Sequence, residues 1–311
     1  LQDPRNAIDY SFGTNNYVEV TDEASLDLDD DGTLEAWIYP KSFATGAGIL
    51  YKGGTGANSV CYGFGLGGDA GNLFTGGNNT NIGFAIGNTG GGHYILTGSK
   101  TLLPNNWYHV ACTWEVSTNT RAIYLNGLQY ASSTAGIGNA ATTNAENLRF
   151  GMQRISDIYF DGIIDEIRIW NTPRSQTDIR DTMCQKLVGD EANLVGYWRF
   201  DREISDTSTP DYDYGTKNNG TMYNFGSVLD ARVCSSAPIG DDSAYGYGTT
   251  TTISSANLSH PAGDYLFATE YAGTWNDSYS GIQVYRVDEA PVYPPDIATS
   301  PYAYGTIIGL T

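Results

Sequence analysis

Apolar and polar residues alternate in short stretches along the chain. The clearest stretch is Trp107–Trp114, where Tyr108, Val110, Cys112 and Trp114 fall on one face. A period of two predicts β-strands with one buried face. Other stretches of this character are Tyr17–Val20, Leu34–Ile38, Ile49–Tyr51, Tyr62–Leu66, Ile82–Ile86, Leu148–Gly151 and Leu194–Phe200.

A tight turn connects two of the predicted strands. Asn126 and Gly127 separate the apolar runs Ala122–Leu125 and Leu128–Tyr130. An Asn-Gly pair in this context is a strong signal for a β-hairpin. Many short strands with Gly- and Asn-rich connections predict an all-β fold class.

One short helix is predicted after the last strand of this region. Ser175 is a candidate N-cap, with Asp178 three residues later. Ile179, Met183 and Leu187 then recur at helical spacing, which predicts an amphipathic helix that lies on a sheet.

The stretch Phe160–Trp170 reads as a turn that leads into a strand with strict alternation. The alternation places Asp165 among apolar residues. Its predicted face carries Ile163, Ile167 and Ile169, and the opposite face carries Ile164, Glu166, Arg168 and Trp170. Because a buried charge without partners costs several kcal/mol, Asp165 needs a cation, backbone N–H donors or a solvated strand end.

The pattern divides the chain into three predicted parts. A large β domain occupies 1–190, a return segment 191–236, and a small β module 237–311, which begins near Ala237–Gly240. The strands predicted for the small module are Thr249–Ile253, Tyr265–Thr269, Ile282–Val287 and Tyr302–Leu310.

Charge and hydropathy exclude two classes of partner. The 311 residues carry 35 acidic and 16 basic side chains, for a net charge of −19. Such a chain repels nucleic acid and anionic membranes, and it contains no apolar run long enough to insert into a membrane. Its acidity favours Ca²⁺, although solubility alone explains an acidic surface. The start at Leu1 indicates a processed product or a fragment.

The four cysteines lie far apart without a C-x-x-C pair, which is the wrong spacing for a zinc knuckle or a redox motif. An even count in this composition favours disulfides and an oxidising, extracellular compartment. Cys184–Cys234 is the first predicted pair, and this disulfide would link the two ends of the return segment. Cys61–Cys112 is the second, with Cys112 as a small core residue as the alternative.

Three motifs resemble the laminin-G-like, concanavalin A-like jelly rolls of bacterial surface proteins. They are Gly13–Val20 leading to Leu34–Trp37, Trp107–Ala111 before the Leu125–Gly127 turn, and Phe160–Asn171. The resemblance implies a sandwich of two antiparallel sheets over about 1–190. Later segments resemble other parts of the same bacterial surface proteins: Leu194–Phe200 with Asn218–Thr221, and Ala237–Asp241 with Val284–Pro291. This second resemblance implies a piece of a longer, exported multidomain polypeptide.

The first resemblance further implies a structural Ca²⁺. Asp165 would supply a carboxylate, and Asp9 and Asn16 are the candidates to complete the shell. The chain departs from the family pattern at Ser11–Gly13 and at Asn16, where the family often has aspartates. Fewer carboxylates predict weaker binding.

Other candidate sites are less specific. Asp27–Gly32 matches the first half of an EF-hand loop, but Ile38 stands where the loop needs a glutamate, so an acidic turn is favoured over a weak surface Ca²⁺ site. A glucanase phrase is absent, and the alternation sends Asp165 and Glu166 to opposite faces, which argues against catalysis. His109 is interpreted as a structural residue of its strand.

Two regions could form the rim of a glycan site. One is the Gly- and Asn-rich loop 67–93, and the other is the aromatic group Tyr271, Trp275 and Tyr279 beside Asn276 and Asp277. Long turns without a ligand are the alternative for each region.

The sequence therefore predicts a non-catalytic, extracellular recognition or adhesion segment of a bacterial surface protein, which binds glycan or a surface protein. The alternative is a self-associating building block of an extracellular filament, sheath or matrix. A third reading is an accessory domain of a carbohydrate-active enzyme. A glycan array with Ca²⁺ separates the first two.

Overall fold

The computed structural model describes most of the chain up to residue 239 and two strands beyond it. The described residues are 6–11, 15–28, 30–44, 46–55, 60–67, 80–87, 93–98, 101–134, 145–154, 157–201, 210–211, 213, 218–239, 265–269 and 282–286.

Short strands make up nearly all of the regular structure in these residues. The strands are β1 (Asn6–Asp9), β2 (Tyr17–Val20), β3 (Asp31–Pro40), β4 (Gly48–Gly53), β5 (Val60–Leu66), β6 (Ile82–Gly87), β7 (His93–Thr97), β8 (Tyr108–Glu115), β9 (Thr120–Leu125), β10 (Leu128–Ser133), β11 (Leu148–Phe150), β12 (Met152–Gln153), β13 (Ile158–Tyr159), β14 (Gly162–Trp170), β15 (Leu194–Trp198), β16 (Pro210–Asp211), β17 (Gly220–Tyr223), β18 (Arg232–Cys234), β19 (Tyr265–Thr269) and β20 (Ile282–Arg286). The helices are a 3-10 turn (Ala24–Leu26), α1 (Gln176–Thr182) and α2 (Val228–Ala231).

Two antiparallel eight-stranded sheets form the sandwich, which confirms the predicted fold class. Sheet A has the order β10-β9-β8-β3-β14-β1-β18, with β15 also paired to β14. Sheet B has the order β16-β17-β2-β11-β4-β5-β6-β7. Among the described residues, no helix is both long and apolar enough to cross a membrane.

Aromatic side chains from both sheets meet in the core. Trp114 of β8 lies 6.0 Å, centroid to centroid, from both Tyr62 and Phe84 of sheet B. Trp198 of β15 meets Phe150 of β11 edge-on at 4.8 Å. These contacts follow from the alternation, because every second residue of each strand points between the sheets.

The strict alternation predicted for β14 is wrong at its centre. The register against β3 shifts between Asp165 and Arg168, and Glu166 adopts φ 51°, which marks a β-bulge. Ile164, Ile167 and Ile169 all join the core. The extra residue therefore leaves both Asp165 and Glu166 on the outer side of sheet A.

The bulge lies where β14 changes its neighbour on one edge. Ile163 and Ile164 pair with β1, whereas residues from Ile167 onward pair with β15. Asp165 and Glu166 fall between the two partner strands. Asp165 still pairs with Trp37 of β3, but neither residue is part of the ladder with β1 or β15, and their side chains are available for other contacts.

Helix α1 begins at the predicted cap. The Ser175 hydroxyl accepts from the backbone N–H of Asp178, whose carboxylate accepts from the N–H of Ser175. Ile179 is fully buried. The Nε1 of Trp37 donates to the carbonyl of Met183 over 2.7 Å, so the end of the helix lies on the outer face of sheet A.

The predicted Asn-Gly hairpin is confirmed between β9 and β10. Asn126 and Gly127 have φ values of 51° and 75°, as a tight turn of this hand requires. A Cβ on Gly127 would lie 2.5 Å from Cγ of Arg180 in α1. The turn therefore needs glycine for its backbone and for contact with the helix.

None of the four cysteines takes part in a disulfide in the structure. The predicted Cys61–Cys112 bridge is not formed: both cysteines are buried in the core, Cys61 in β5 of sheet B and Cys112 in β8 of sheet A. Cys112 is instead a small core residue, the alternative stated above. The Cys184–Cys234 bridge is not confirmed.

The predicted return segment, 191–236, supplies strands to both sheets. It contributes β15 and β18 to sheet A and β16 and β17 to sheet B. In the predicted C-terminal module, β19 and β20 pair antiparallel. The strands predicted at 249–253 and 302–310 lie outside the described residues. The boundaries at 190 and 236 stay predictions.

Candidate functional site

Asp165 is buried on the outer side of sheet A. It is 3% exposed, and its carboxylate accepts from the backbone N–H of Glu166 at 2.8 Å and from the Ser235 hydroxyl at 2.5 Å. Burial, with the nearby carboxylates of Glu166 and Asp201, raises the pKa of Asp165 well above its ordinary value. Of the three solutions predicted for this residue, the structure uses hydrogen-bond donors.

Glu166 lies beside Asp165 with its own cation. Its carboxylate accepts from Nη2 of Arg168 at 2.8 Å and from the Tyr197 hydroxyl at 2.6 Å. Arg168 also donates to the carbonyls of Thr182 and Gln185, at 2.9 and 2.5 Å. These contacts fasten the end of α1 to the bulge.

A third carboxylate, that of Asp201, closes the group. It forms ion pairs of 2.8 Å with Lys186 and with Arg199. We call Asp165, Glu166, Arg168, Lys186, Tyr197, Arg199, Asp201 and Ser235 the bulge cluster. The cavity that it borders has a volume of about 10 Å³, far smaller than the roughly 300–1,000 Å³ of ligand pockets.

A neighbouring buried network surrounds Glu35 of β3. Its carboxylate contacts Nη1 of Arg174 at 2.6 Å and Nε2 of His109 at 3.3 Å. Burial alone would raise the pKa of Glu35, but His109 and Arg174 lower it to about 2. His109 is 1% exposed, and burial lowers its pKa. This placement agrees with its interpretation as a structural residue.

Replacing Asp165 with asparagine is expected to stabilise the fold increasingly as the pH rises. The raised pKa of Asp165 means that its protonation favours folding: the contribution is complete below about 3.8 and is lost as the pH rises through the folded-state pKa. Asparagine keeps the contacts to Ser235 and Glu166 without titrating. Thermal melts between pH 4 and 8 measure the difference between D165N and wild type, and a pH-independent difference would contradict the assignment.

The other two predicted calcium ligands are engaged elsewhere. The Asp9 carboxylate accepts from Lys41 Nζ and the Ser11 hydroxyl, both at 2.6 Å. The Asn16 amide donates to the carbonyl of Tyr10 at 3.2 Å. In the described part of the chain, no group of three or more His, Cys, Asp or Glu side chains is arranged to hold a metal ion. Calcium binding stays a prediction, which metal analysis and melts with a chelator test.

The EF-hand-like stretch is used as a turn where it is described. Asp27 lies 3.5 Å from Nζ of the buried Lys52, and Asp22 bonds the same ammonium. The Asp31 carboxylate accepts from the backbone N–H of Val116 at 2.9 Å. These carboxylates are held by protein cations and N–H groups, in agreement with the acidic-turn interpretation.

Three tyrosines form a row on the outer face of sheet B. Tyr17 of β2 stacks on Tyr223 of β17 with centroids 5.1 Å apart and ring planes at 11°. Tyr159 of β13 lies 6.4 Å from Tyr17 on its other side. Tyr223 is 40% exposed, and Tyr17 and Tyr159 are half-buried. We call these three residues the tyrosine row.

Polar groups lie at the end of the tyrosine row that Tyr223 forms. Asn15 and Asn224 are exposed beside Tyr17 and Tyr223, and the Asn224 amide donates to the Asn15 carbonyl at 2.9 Å. Amides and phenol groups can both donate and accept hydrogen bonds. The row thus combines apolar rings with groups that can bind hydroxyls.

A family profile for the concanavalin A-like lectin/glucanases superfamily matches residues 12–180, more than half of the chain. The chain belongs to this superfamily. The match contains β2 to β14, so it includes Tyr17, Tyr159 and the bulge. Strands β15, β17 and β18 extend the superfamily sandwich from residues beyond the match.

Several solved structures are similar to the chain. A candidate carbohydrate binding protein from Bacteroides ovatus is 25% identical, with a TM-score of 0.58 and coverage of 77% of this chain and 62% of that one. This chain thus spans under two thirds of that protein. CBM40 of the Ruminococcus gnavus IT-sialidase, bound to α2,3-sialyllactose, is 17% identical, with a TM-score of 0.43 and coverages of 56% and 94%. No curated protein sequence matches the chain.

The tyrosine row was not predicted from the sequence. Tyr271, Trp275 and Tyr279, the predicted aromatic rim, lie outside the described residues, as does most of loop 67–93. The three tyrosines of the row come from strands far apart in the chain. The available signal was the alternation in Tyr17–Val20, which sends Tyr17 to the face opposite Val18.

Proposed function

We propose that the protein is a non-catalytic glycan-binding segment and that the tyrosine row is its binding surface. The observation that carries the proposal is the row itself: three neighbouring aromatic rings on a solvent-facing sheet, with amides at the end formed by Tyr223. Ring faces and edges offer apolar contact to the C–H surfaces of a sugar, and the phenol and amide groups offer hydrogen bonds to its hydroxyls.

Similarity to a solved structure supports the same ligand class. The Bacteroides ovatus protein is described as a candidate carbohydrate binding protein, and its fold covers most of this chain. The superfamily description names both lectins and glucanases, so the family alone leaves the choice between binding and hydrolysis open. The arrangement of the carboxylates distinguishes between glycan binding and hydrolysis.

The clustered carboxylates favour binding over catalysis. A glycosidase needs two carboxyl groups that face a cleft large enough for a sugar chain. Asp165 and Glu166 do lie together, contrary to the alternation argument, but they are 3% and 2% exposed. Asp201 is 6% exposed and bound by two cations. The bulge cluster therefore serves as a buried structural network.

The setting that fits this activity is the outside of a cell. We propose that the chain is an adhesion or recognition segment of a secreted bacterial surface protein. A net charge of −19 keeps such a segment soluble and away from anionic surfaces. A surface protein as ligand, or self-association into a filament, stays a prediction without a described contact in its favour.

Replacing Tyr223, the most exposed ring of the row, with alanine is expected to lower glycan affinity about tenfold or more, since truncation of an aromatic anchor of a binding surface commonly costs at least about 1.4 kcal/mol. A glycan array identifies a bound polysaccharide, and isothermal titration calorimetry then compares the variants. Y223F is the conservative partner: it keeps the ring and tests the hydroxyl alone.

Tyr124→Ala is the matched control. Tyr124 is a half-buried tyrosine of β9 in sheet A, and it pairs with Ala111 away from the tyrosine row. Its loss is expected to leave affinity unchanged. If wild type and Y223A have equal affinity for every bound glycan, the binding surface lies elsewhere on the protein.

A further inference from the structure

The charged side chains nearest to the tyrosine row form acid–base pairs. Nε of Arg149 donates to Glu19 over 2.8 Å, beside Tyr17. Nη1 of Arg154 donates to Asp157 over 2.6 Å, beside Tyr159. Among the residues that the structure describes, each arginine next to the row is thus matched by a carboxylate at contact distance.

The two pairs differ in their exposure. Side chains of Arg149 and Glu19 are 9% and 19% exposed, and Arg149 also donates to the carbonyl of Asn147 at 3.2 Å. The guanidinium of Arg149 is therefore occupied by the protein. Arg154 and Asp157 are 38% and 48% exposed and lie between β12 and β13 in the sequence. Of the two described pairs, the second is the one at a solvent-accessible edge of the row.

An acidic sugar that lies on the row would meet unfavourable charge. Its carboxylate would have to displace Asp157 from Arg154 or approach Glu19 and Asp157 directly. The net charge of −19 adds a repulsive field, which salt screens beyond about 8–10 Å. A neutral sugar meets none of these costs, because hydroxyl groups bind tyrosine and asparagine without a change in charge pairing.

We infer that the tyrosine row selects neutral glycans and that Asp157 sets this selectivity by holding Arg154 in an ion pair. The inference rests on the proposed glycan-binding function and names the ligand class of the same surface. An exposed ion pair contributes little to stability, so Asp157 can be changed without unfolding the protein. Asp157 is a specificity-determining residue in this scheme.

Substitution of Asp157 by asparagine is expected to release Arg154 for an acidic ligand. A guanidinium without a carboxylate partner forms charge-assisted, bidentate bonds with a sugar carboxylate. We expect the affinity of D157N for acidic glycans to rise about tenfold, while that for neutral glycans changes less than about threefold.

The experiment compares ligands that share a backbone and differ in charge. The probes are methyl-esterified and de-esterified homogalacturonan, hydroxyethyl cellulose and carboxymethyl cellulose, and lactose and sialyllactose. Affinity electrophoresis and calorimetry on the full chain measure wild type, D157N and D157N/R154Q. D157N/R154Q is expected not to show the increased affinity for acidic glycans, because the guanidinium that D157N releases is absent from it.

Asp181→Asn controls for net charge alone. Asp181 is exposed in α1 on the side of sheet A, so this variant has the charge of D157N without changing the row. The inference is supported if wild type binds neutral probes better than their acidic counterparts and if only D157N gains affinity for the acidic probes. If wild type binds the acidic probes more tightly and Y223A weakens that binding, the inference of neutral selectivity is overturned, but the proposed glycan-binding function is retained. Binding of no probe by wild type counts against both.

Discussion

Replacing Arg168 with alanine is expected to destabilise the fold by about 3–5 kcal/mol, the cost of breaking a buried ion pair from one side. Arg168 is 1% exposed, and Glu166, its partner at 2.8 Å, is 2% exposed. Without the guanidinium, Glu166 remains buried with only the hydroxyl of Tyr197 among its described donors. The carbonyls of Thr182 and Gln185 also lose the hydrogen bonds from Arg168, although the N–H of Gln185 still donates to the Thr182 carbonyl. Urea denaturation followed by tryptophan fluorescence measures the change.

Two further variants separate charge burial from lost packing. Arg168→Met/Glu166→Gln removes both charges and keeps most of the volume, so it should be less destabilised than Arg168→Met alone. Arg154→Ala removes an exposed arginine of the same type, and a loss of no more than about 1 kcal/mol is expected. A similarly small loss in R168A would show that the bulge cluster does not depend on this pair.

Replacing Trp198 with alanine is expected to cost about 3–5 kcal/mol, as for other fully buried aromatic side chains. Trp198 is 0% exposed and packs edge-on against Phe150 of the opposite sheet at 4.8 Å. Its Nε1 donates to the carbonyl of Asn218 at 3.0 Å. The alanine variant therefore loses contact between the sheets and leaves that carbonyl without its indole donor. Urea denaturation again gives the change in free energy.

Trp198→Phe separates the contribution of the aromatic packing from that of the indole hydrogen bond. It retains an aromatic ring against Phe150 and removes the indole donor, so a cost of roughly 1–3 kcal/mol is expected for the hydrogen bond and the smaller ring. Because Trp198 lies in β15, within 191–236, the pair of variants also measures what this segment contributes to the sandwich. If W198A melts like wild type, the contact between Trp198 and Phe150 does not stabilise the sandwich.

Local signals in the sequence were sufficient for much of the fold. The Asn126-Gly127 turn and the Ser175 cap were predicted because each depends on backbone conformation or hydrogen bonds within a few residues. The all-β class followed from alternation, since a period of two requires strands that bury one face. These features need no knowledge of distant neighbours.

The bulge and the binding surface depend on contacts that are remote in sequence. The shift at Asp165 and Glu166 lies where β14 exchanges β1 for β15 as neighbour, and no local pattern records that exchange. The tyrosine row needs the pairing of β2 with β17, which sets Tyr17 opposite Tyr223. Alternation gives the face of each residue but not its partner in the adjacent strand.

The strand order also governs when the sandwich can assemble during synthesis. β1 lies between β14 and β18, and Asn6 pairs with Cys234. A ribosome releases the chain from its N-terminus, so the first strand has to wait for nearly the whole sandwich sequence before its second neighbour exists. Such distant pairing slows folding. A nascent chain with this topology therefore cannot pair β1 on both of its edges until residue 234 has been synthesised.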